Sequence, residues 1–319
     1  MLKGEGFEEL RFLPFSLPSP HFFIYSENYM SNMKDPSLRE FHFTAQDFQR
    51  VCKLIYDHAG ISLNASKHEL VYSRLSRRLR ATGIRTFSEY LKLLEKNDEQ
   101  EWEAFANSLT TNLTSFFREH HHFPLLAEQL KKIGNAHPIV IWCSASSTGE
   151  EPYSIAMTAV DAFNSFTPPV KIIATDLDTN VLDTARRGVY AMDRVEKLDD
   201  ALIKRFFFKG TGAQEGFVKV RPELQNMITF RKLNLLDVSW PIRDRVDVIF
   251  CRNVMIYFDK DTQLAILKKM APMLRAEGLL YAGHSENFYH AEACFKLRGK
   301  TVYELSAQMK HAQSKAEKP

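Results

Sequence analysis

No apolar run in this chain approaches the roughly 18 to 20 residues that a helix needs to cross a bilayer. The N-terminus also lacks a signal-peptide pattern, because Lys3 is followed by Glu5, Glu8 and Glu9, and Pro14, Pro18 and Pro20 break the apolar part. The four cysteines, Cys52, Cys143, Cys251 and Cys294, are too far apart for a C-x-x-C pair or a metal-ligand spacing. That argues against a disulfide scaffold or zinc module and for reduced, mostly buried thiols. Neither sign of charge dominates: Lys plus Arg number 42 and Asp plus Glu 39, so no global field is present to hold nucleic acid or a membrane surface. Internal repeats are absent too. Together these absences predict a cytoplasmic protein that neither inserts into a membrane nor binds nucleic acid.

Glycine is scarce where it would matter most. The apolar run I-V-I-W-C (139–143) enters the turn S-A-S-S-T-G-E-E-P-Y-S (144–154), the strand-turn-helix opening of many α/β cofactor sites. A phosphate cradle needs several glycines and a helix N-terminus free of competing carboxylates. Here Gly149 is the single glycine between Ser144 and Pro152, and Glu150 and Glu151 stand where a pyrophosphate would approach. Dinucleotide and P-loop readings weaken accordingly. A cofactor with an adenosine and a cationic sulfonium or amino-acid part suits the acids better, and S-adenosylmethionine is such a molecule. The run K-I-I-A-T-D-L-D supports it by placing Asp176 at a strand's carboxyl end, 25 residues after Glu151, where an acid can accept both ribose hydroxyls. The competing reading is that Asp176 caps a helix beginning near Thr179.

Around this turn the hydrophobic pattern changes period. From Thr44 to about Asn107, apolar residues recur at three- and four-residue steps, with Phe48, Val51, Cys52 and Ile55 as the first group and Thr44 as the N-cap. From Ile139 onward, short β-branched runs alternate with helical ones, which predicts a mainly parallel, doubly wound sheet. The segment 190–225 breaks that rhythm with two short strands around a Gly-rich turn, read as an inserted lid or docking hairpin, with a mere edge hairpin as the competing reading. The expected organisation is a disordered extension over 1–33, with Met30 and Met33 as alternative starts, then a helical domain over 34–108. An α/β domain over 109–307 and a disordered tail over 308–319 complete it.

Ser66 to Arg80 concentrates Lys67, Arg74, Arg77, Arg78 and Arg80 against the single acid Glu69. Arg74 and Arg78 are one turn apart and share a face. Such a face binds phosphates or an acidic protein surface, or is simply laced by salt bridges to neighbouring helices. His120, His121 and His122 are consecutive, so on a helix they point about 100 degrees apart and do not converge on one metal; no metal is expected. His284, Ser285 and Glu286 are adjacent and read as a loop after the last parallel strand rather than a triad.

Four motifs in this order, T-T-N-L-T-S-F-F-R-E (110–119), S-T-G-E-E-P-Y-S (147–154), F-C-R-N-V-M-I-Y-F (250–258) and G-H-S-E-N-F (283–288), resemble the CheR family of chemotaxis receptor glutamate methyltransferases. The resemblance spans about residues 40 to 305. It implies a small all-α N-terminal domain followed by a Rossmann-like S-adenosylmethionine domain with an inserted small β-subdomain. The implied activity is methylation of glutamate side chains on the cytoplasmic helices of chemoreceptors, with S-adenosylhomocysteine as the product. Carried over by motif, Asn112, Thr114, Arg118, Glu151, Asp176, Asn234, Leu235, Arg252 and Asn253 would contact the cofactor. Asp176 falls on the ribose, and Asn234 and Leu235 lie near the adenine. Whether the insertion also grips a receptor C-terminal tether is left open by the sequence.

The residues themselves supply the chemistry to go with this. A glutamate carboxylate is already ionised near neutral pH, so its methylation needs no general base, only orientation and desolvation. That is consistent with the lack of a convincing acid/base pair. Arg118 is expected to orient the incoming carboxylate and Tyr257 to flank the methyl group, with a structural Arg118–Glu119 ion pair and ordinary packing of Tyr257 as the competing readings. Arg74, Arg77 and Arg78 are expected to lie along the acidic receptor helices. Two rival functions remain in view: a methyltransferase for another acceptor, and a non-catalytic cofactor sensor.

Overall fold

A computed structural model describes residues 6–9, 39–96 and 98–316. The described residues fall into two compact units: a helical one, 39–55 with 63–109, and an α/β one, 6–9, 56–62 and 110–316.

The helical unit holds α1 (Ala45–Ala59) as far as Ile55, and α2 (His68–Thr82), α3 (Phe87–Leu94) and α4 (Glu99–Leu109). Thr44 starts α1 as expected: its hydroxyl accepts the Asp47 amide at 3.0 Å while the Asp47 carboxylate accepts the Thr44 amide at 3.0 Å. Gly83 ends α2 in the left-handed conformation with φ 71°. Val51 and Ile55 of the predicted first apolar group are buried, together with Val71, Leu75, Leu79, Tyr90, Leu91 and Leu94 of the following helices.

The basic helix α2 divides its cations. Arg78 grips the buried Glu101 through two bonds of 3.1 and 2.7 Å, and Tyr90 donates to the same carboxylate at 2.6 Å. Arg80 pairs with Glu40, and Arg74 donates to the Ser108 carbonyl at 3.3 Å. Arg78 is therefore held in an ion pair within the helical unit, and of Arg74, Arg77 and Arg78 the exposed one is Arg77. Arg78→Ala leaves a buried carboxylate without its cation and is expected to destabilise the chain by about 2 kcal/mol, seen as a lower melting temperature. An unchanged melting temperature would remove this role.

In chain order the α/β unit comprises β1 (Phe7–Glu9), α5 (His122–Ile133), β2 (Ile139–Cys143), α6 (Glu150–Phe163), β3 (Val170–Asp176), α7 (Thr179–Arg187) and β4 (Val189–Ala191). It continues with α8 (Asp200–Phe206), β5 (Phe207–Gly210), β6 (Phe217–Val220), α9 (Pro222–Asn226), β7 (Ile228–Lys232) and β8 (Val246–Cys251). The last elements are α10 (Lys260–Met270), β9 (Leu274–Ala282), β10 (Phe295–Gly299), β11 (Val302–Leu305) and α11 (Ala307–Ala316). The main sheet has the order β10-β11-β9-β8-β2-β3-β7. β9, β8, β2, β3 and β7 are parallel, and β11 and β10 add antiparallel at one edge. Every residue of β2 and β8 is buried, as their mainly apolar runs require; the one acid, Asp247 in β8, accepts the Val140 amide at 2.9 Å. Ile141, Cys143, Val248 and Phe250 pack into one core layer, and Val140, Trp142, Ile249 and Cys251 into the other. From β2 the chain runs outward through β3 to β7 and then returns to β8 on the other side. The carboxyl ends of β2 and β8 thus form a topological switch point, where open α/β sheets bind ligands.

The expected insertion is a four-stranded sheet in the order β1-β5-β6-β4. Its β5–β6 hairpin was legible in the sequence; β4 and β1 were not. Phe7–Glu9 corrects the reading of residues 1–33 as a disordered extension, because a three-residue strand has no detectable period and is held by its neighbour β5. Residues 1–5 and 10–33 of that expected extension lie outside the described residues. The expected fraying from Gln308 is also corrected: α11 continues to Ala316, and the buried Gln313 amide donates to the carbonyls of Ala271 (3.2 Å) and Leu274 (2.6 Å). Among the described residues no helix is long and apolar enough to cross a membrane.

Candidate active site

The turn after β2 is tied to both flanking strands, the Ser144 amide to the Phe250 carbonyl (2.9 Å) and the Ser146 amide to that of Thr175 (2.8 Å). Its glycine is needed for packing. A Cβ on Gly149, which has φ 101°, would lie 2.7 Å from the Tyr190 hydroxyl and 2.8 Å from the Ala185 Cβ. Ser147, also left-handed at φ 47°, aims its amide at the Asp176 carboxylate at 2.8 Å. The other Asp176 oxygen accepts the Asp178 amide at 3.0 Å. Capping of α7 falls to Asp178, which accepts the Asn180 amide at 2.9 Å, so Asp176 is released from the competing role considered above. Burial pushes Asp176 up to about 6 against the pull of those backbone donors. Asp178 also holds the T-T-N segment through the Thr110 hydroxyl (2.9 Å) and the Asn112 amide (2.8 Å), and the Ser147 hydroxyl donates to the Asn112 carbonyl at 3.0 Å.

At the tip of β8, Arg252 is 3% exposed and bridges two acids, Glu151 at 2.6 Å and Glu119 at 3.2 Å, while donating to the Arg118 carbonyl at 2.5 Å. Burial raises the Glu151 carboxyl above its ordinary range, Arg252 pulling it the other way. Burial acts on Glu119 too, but the His284 amide, the Asn253 side chain and Arg252 outweigh it and hold that carboxyl low. The adjacent acids of S-T-G-E-E diverge: Glu150 is buried against Arg194 of the inserted subdomain, and Glu151 faces Arg252. Glu286 accepts the amides of Gly283, Asn253, Val254 and Met255 and so fixes the loop after β8. There is no room for a side chain on Gly283, whose Cβ would lie 2.5 Å from the Asn253 Nδ2. Phe117, Glu119, Ser147 and Asn253, one or two from each of three motifs, have left-handed φ between 47° and 58°. Such backbone in non-glycine residues concentrates at sites where the surroundings enforce it.

Of the residues expected from the sequence, Asn112, Arg118, Glu151, Asp176, Arg252 and Asn253 are joined by these bonds. Thr114 lies on the same segment and its carbonyl accepts from Arg194 at 3.0 Å. Arg118 rests on the Leu113 carbonyl at 2.8 Å, and it is Arg252 rather than Arg118 that pairs with Glu119. The Tyr257 hydroxyl donates to the Thr111 carbonyl at 3.3 Å. Asn234 and the buried Leu235 follow β7 beside Asp176, whose carbonyl accepts the Leu233 amide at 2.9 Å, and the Asn234 amide donates to the His58 carbonyl at 2.8 Å. Arg74, Arg77 and Arg78 belong to the helical unit. Sequence reasoning missed the structural parts of Glu119, Asp178 and Glu286; an acid at the end of each of the F-F-R-E and G-H-S-E motifs was the available signal. Two of the three consecutive histidines approach each other where divergence was expected, because His121 precedes α5: its ligand nitrogen, that of His122 and a Glu119 oxygen lie within 4.8 Å of one another. Glu119 is already shared by three donors there, and the His122 Nε2 is bonded to the Lys300 carbonyl at 2.9 Å.

The residues fit S-adenosylmethionine. Carboxylates of Glu119, Glu151, Asp176 and Asp178 outnumber the guanidiniums of Arg118 and Arg252, which suits a cationic ligand. The buried Ser146 hydroxyl at the switch point has no partner within the protein. Residues 112–304 match the family model described as CheR methyltransferase, SAM binding domain, and residues 46–110 match CheR methyltransferase, all-alpha domain. The chain is similar to Chemotaxis protein methyltransferase 2 of Pseudomonas aeruginosa, 51% identical over 292 residues covering 91% of this chain and 99% of that protein. Chemotaxis protein methyltransferase of Escherichia coli is 51% identical over 260 residues, 81% of this chain and 90% of that one. That of Borreliella burgdorferi is 37% identical over 256 residues, 77% and 89% respectively.

Proposed function

Because the chain belongs to the CheR methyltransferase family, we infer that it methylates glutamate side-chain carboxylates of chemoreceptors, giving glutamate methyl esters and S-adenosylhomocysteine. It is an S-adenosylmethionine-dependent methyltransferase. The observation that carries the acceptor class is a site rich in fixed charge in which the cationic Arg118 side chain donates to a carbonyl of its own loop. When bound, the cofactor supplies an electrophilic methyl group on sulfur. Asp176 accepts the ribose hydroxyls, and Asn234 and Leu235 flank the adenine. Asn112, Thr114, Glu151, Arg252 and Asn253 line the methionine end. The acceptor carboxylate is ionised, so no side chain has to remove a proton. Arg118 exchanges the Leu113 carbonyl for that carboxylate and orients it, while Tyr257 flanks the reacting groups. Arg74 and Arg77 face receptor helices, the inserted sheet holds a receptor C-terminal tether, and the reaction takes place in the cytoplasm.

Transfer of radiolabelled methyl from S-adenosylmethionine to chemoreceptor-containing membranes, followed by mild base, tests this reading. Label released as methanol is the expected result. Label that resists base points to another acceptor, and tight cofactor binding without incorporation points to a sensor. Arg118→Ala and Tyr257→Phe are each expected to lower turnover about 10²-fold or more while cofactor binding persists; full turnover in either variant would remove that residue's role.

A further inference from the structure

The outermost strand of the inserted sheet comes from the far end of the chain. Phe7, Glu8 and Glu9 lie antiparallel to Gly210, Lys209 and Phe208, and the Thr211 amide donates to the Gly6 carbonyl at 2.7 Å. Strands in globular proteins commonly run about five to six residues, and this one has three, with Glu8 and Glu9 exposed. Side-chain complementarity holds it. Glu9 meets Arg221 at 3.2 Å, and the Arg221 guanidinium lies 4.7 Å from the centre of the Phe208 ring. The Lys219 ammonium lies 5.7 Å from the centre of the Phe7 ring. Without Gly6–Glu9, β5 would present an open edge flanked by Lys209, Lys219 and Arg221, the kind of edge that accepts an added strand.

We propose that Gly6–Glu9 is an internal ligand of the β5 edge and competes there with extended partner peptides that carry an aromatic residue followed by acids. The N-terminus then gates the docking surface of the inserted subdomain. This deepens the reading of that subdomain as a docking surface without depending on a receptor tether as the occupant, and it requires nothing of the methyl-transfer site.

The test measures fluorescence anisotropy of a labelled, capped peptide Gly-Phe-Glu-Glu-Leu, the sequence of residues 6–10, with the full chain and with its Phe7→Ala/Glu9→Lys variant. If the internal strand leaves the edge free about a tenth of the time, loosening it tightens peptide binding about tenfold. Adding Arg221→Glu to the variant should abolish the gain. Equal binding by both chains, or binding by neither, overturns the proposal. Methyl transfer by each protein confirms that it is folded. A receptor tail peptide measured in parallel separates the two readings. If it binds neither chain while the Gly-Phe-Glu-Glu-Leu peptide shows the gain, the tether reading fails and the gate stands. If both peptides bind both chains equally, the gate fails and the tether reading stands.

Discussion

Replacing Arg252 with alanine is expected to destabilise the chain by about 3 to 5 kcal/mol and to abolish methyl transfer. Its guanidinium is the shared partner of the Glu119 and Glu151 carboxylates, is itself almost fully buried, and also anchors the Arg118 carbonyl. Without it two carboxylates face each other in a buried site, and the Glu151 carboxyl, already raised by burial, rises further. The sign of the pH effect follows. A carboxyl whose folded pKa lies above its unfolded value favours folding while protonated, so that stability is lost as pH rises through the folded pKa. The deficit of the variant relative to the wild type should thus be larger at pH 8 than at pH 5 in thermal melts. Adding Glu151→Gln should recover part of the stability and none of the activity. Equal melting temperatures for wild type and Arg252→Ala would show that the bridge does not hold the site.

Asp176→Asn is expected to weaken binding of S-adenosylhomocysteine about 10- to 100-fold, the range for losing hydrogen bonds to a charged acceptor. Burial places the Asp176 carboxyl at about 6 in the free chain, and ribose hydroxyls donate to its ionised form. Affinity should accordingly be flat above about pH 7 and fall about tenfold per unit well below pH 6. The stability of the free chain moves in the opposite sense. The raised pKa favours folding in acid, and that contribution is lost as pH rises toward 6. Calorimetric titrations between pH 5 and 8 would read the affinity and thermal melts between pH 4 and 7 the stability, with the Asn variant losing both pH dependences. A wild-type affinity that does not change across this range would remove Asp176 from the ribose.

The strands that build the site were legible because each is a local, mainly apolar run: I-V-I-W-C became β2 and V-D-V-I-F-C became β8, both wholly buried. The edge strands β10 and β11 were missed. They are five and four residues long and do not alternate between core and solvent, so no period stands out. Legibility of the site followed the same division. One glycine and two acids after β2 sufficed to disfavour a phosphate and favour a cationic cofactor. Which of two neighbouring aspartates would cap α7 was not decidable from spacing, because Asp176 and Asp178 both precede it; the fold gave the cap to Asp178.

By itself, then, the sequence determined the α/β class, the helical domain before it and the cofactor class. Those depend on local period and on the chemistry of a single turn. Tertiary structure alone decided the partner of each charged side chain: Arg78 with Glu101, Arg252 with Glu119 and Glu151, and Glu9 with Arg221. The physical reason is that an ion pair across tens or hundreds of residues forms only where packing brings the groups together and removes water. Nothing in the local pattern around an arginine tells whether it will meet solvent, a buried acid or a ligand.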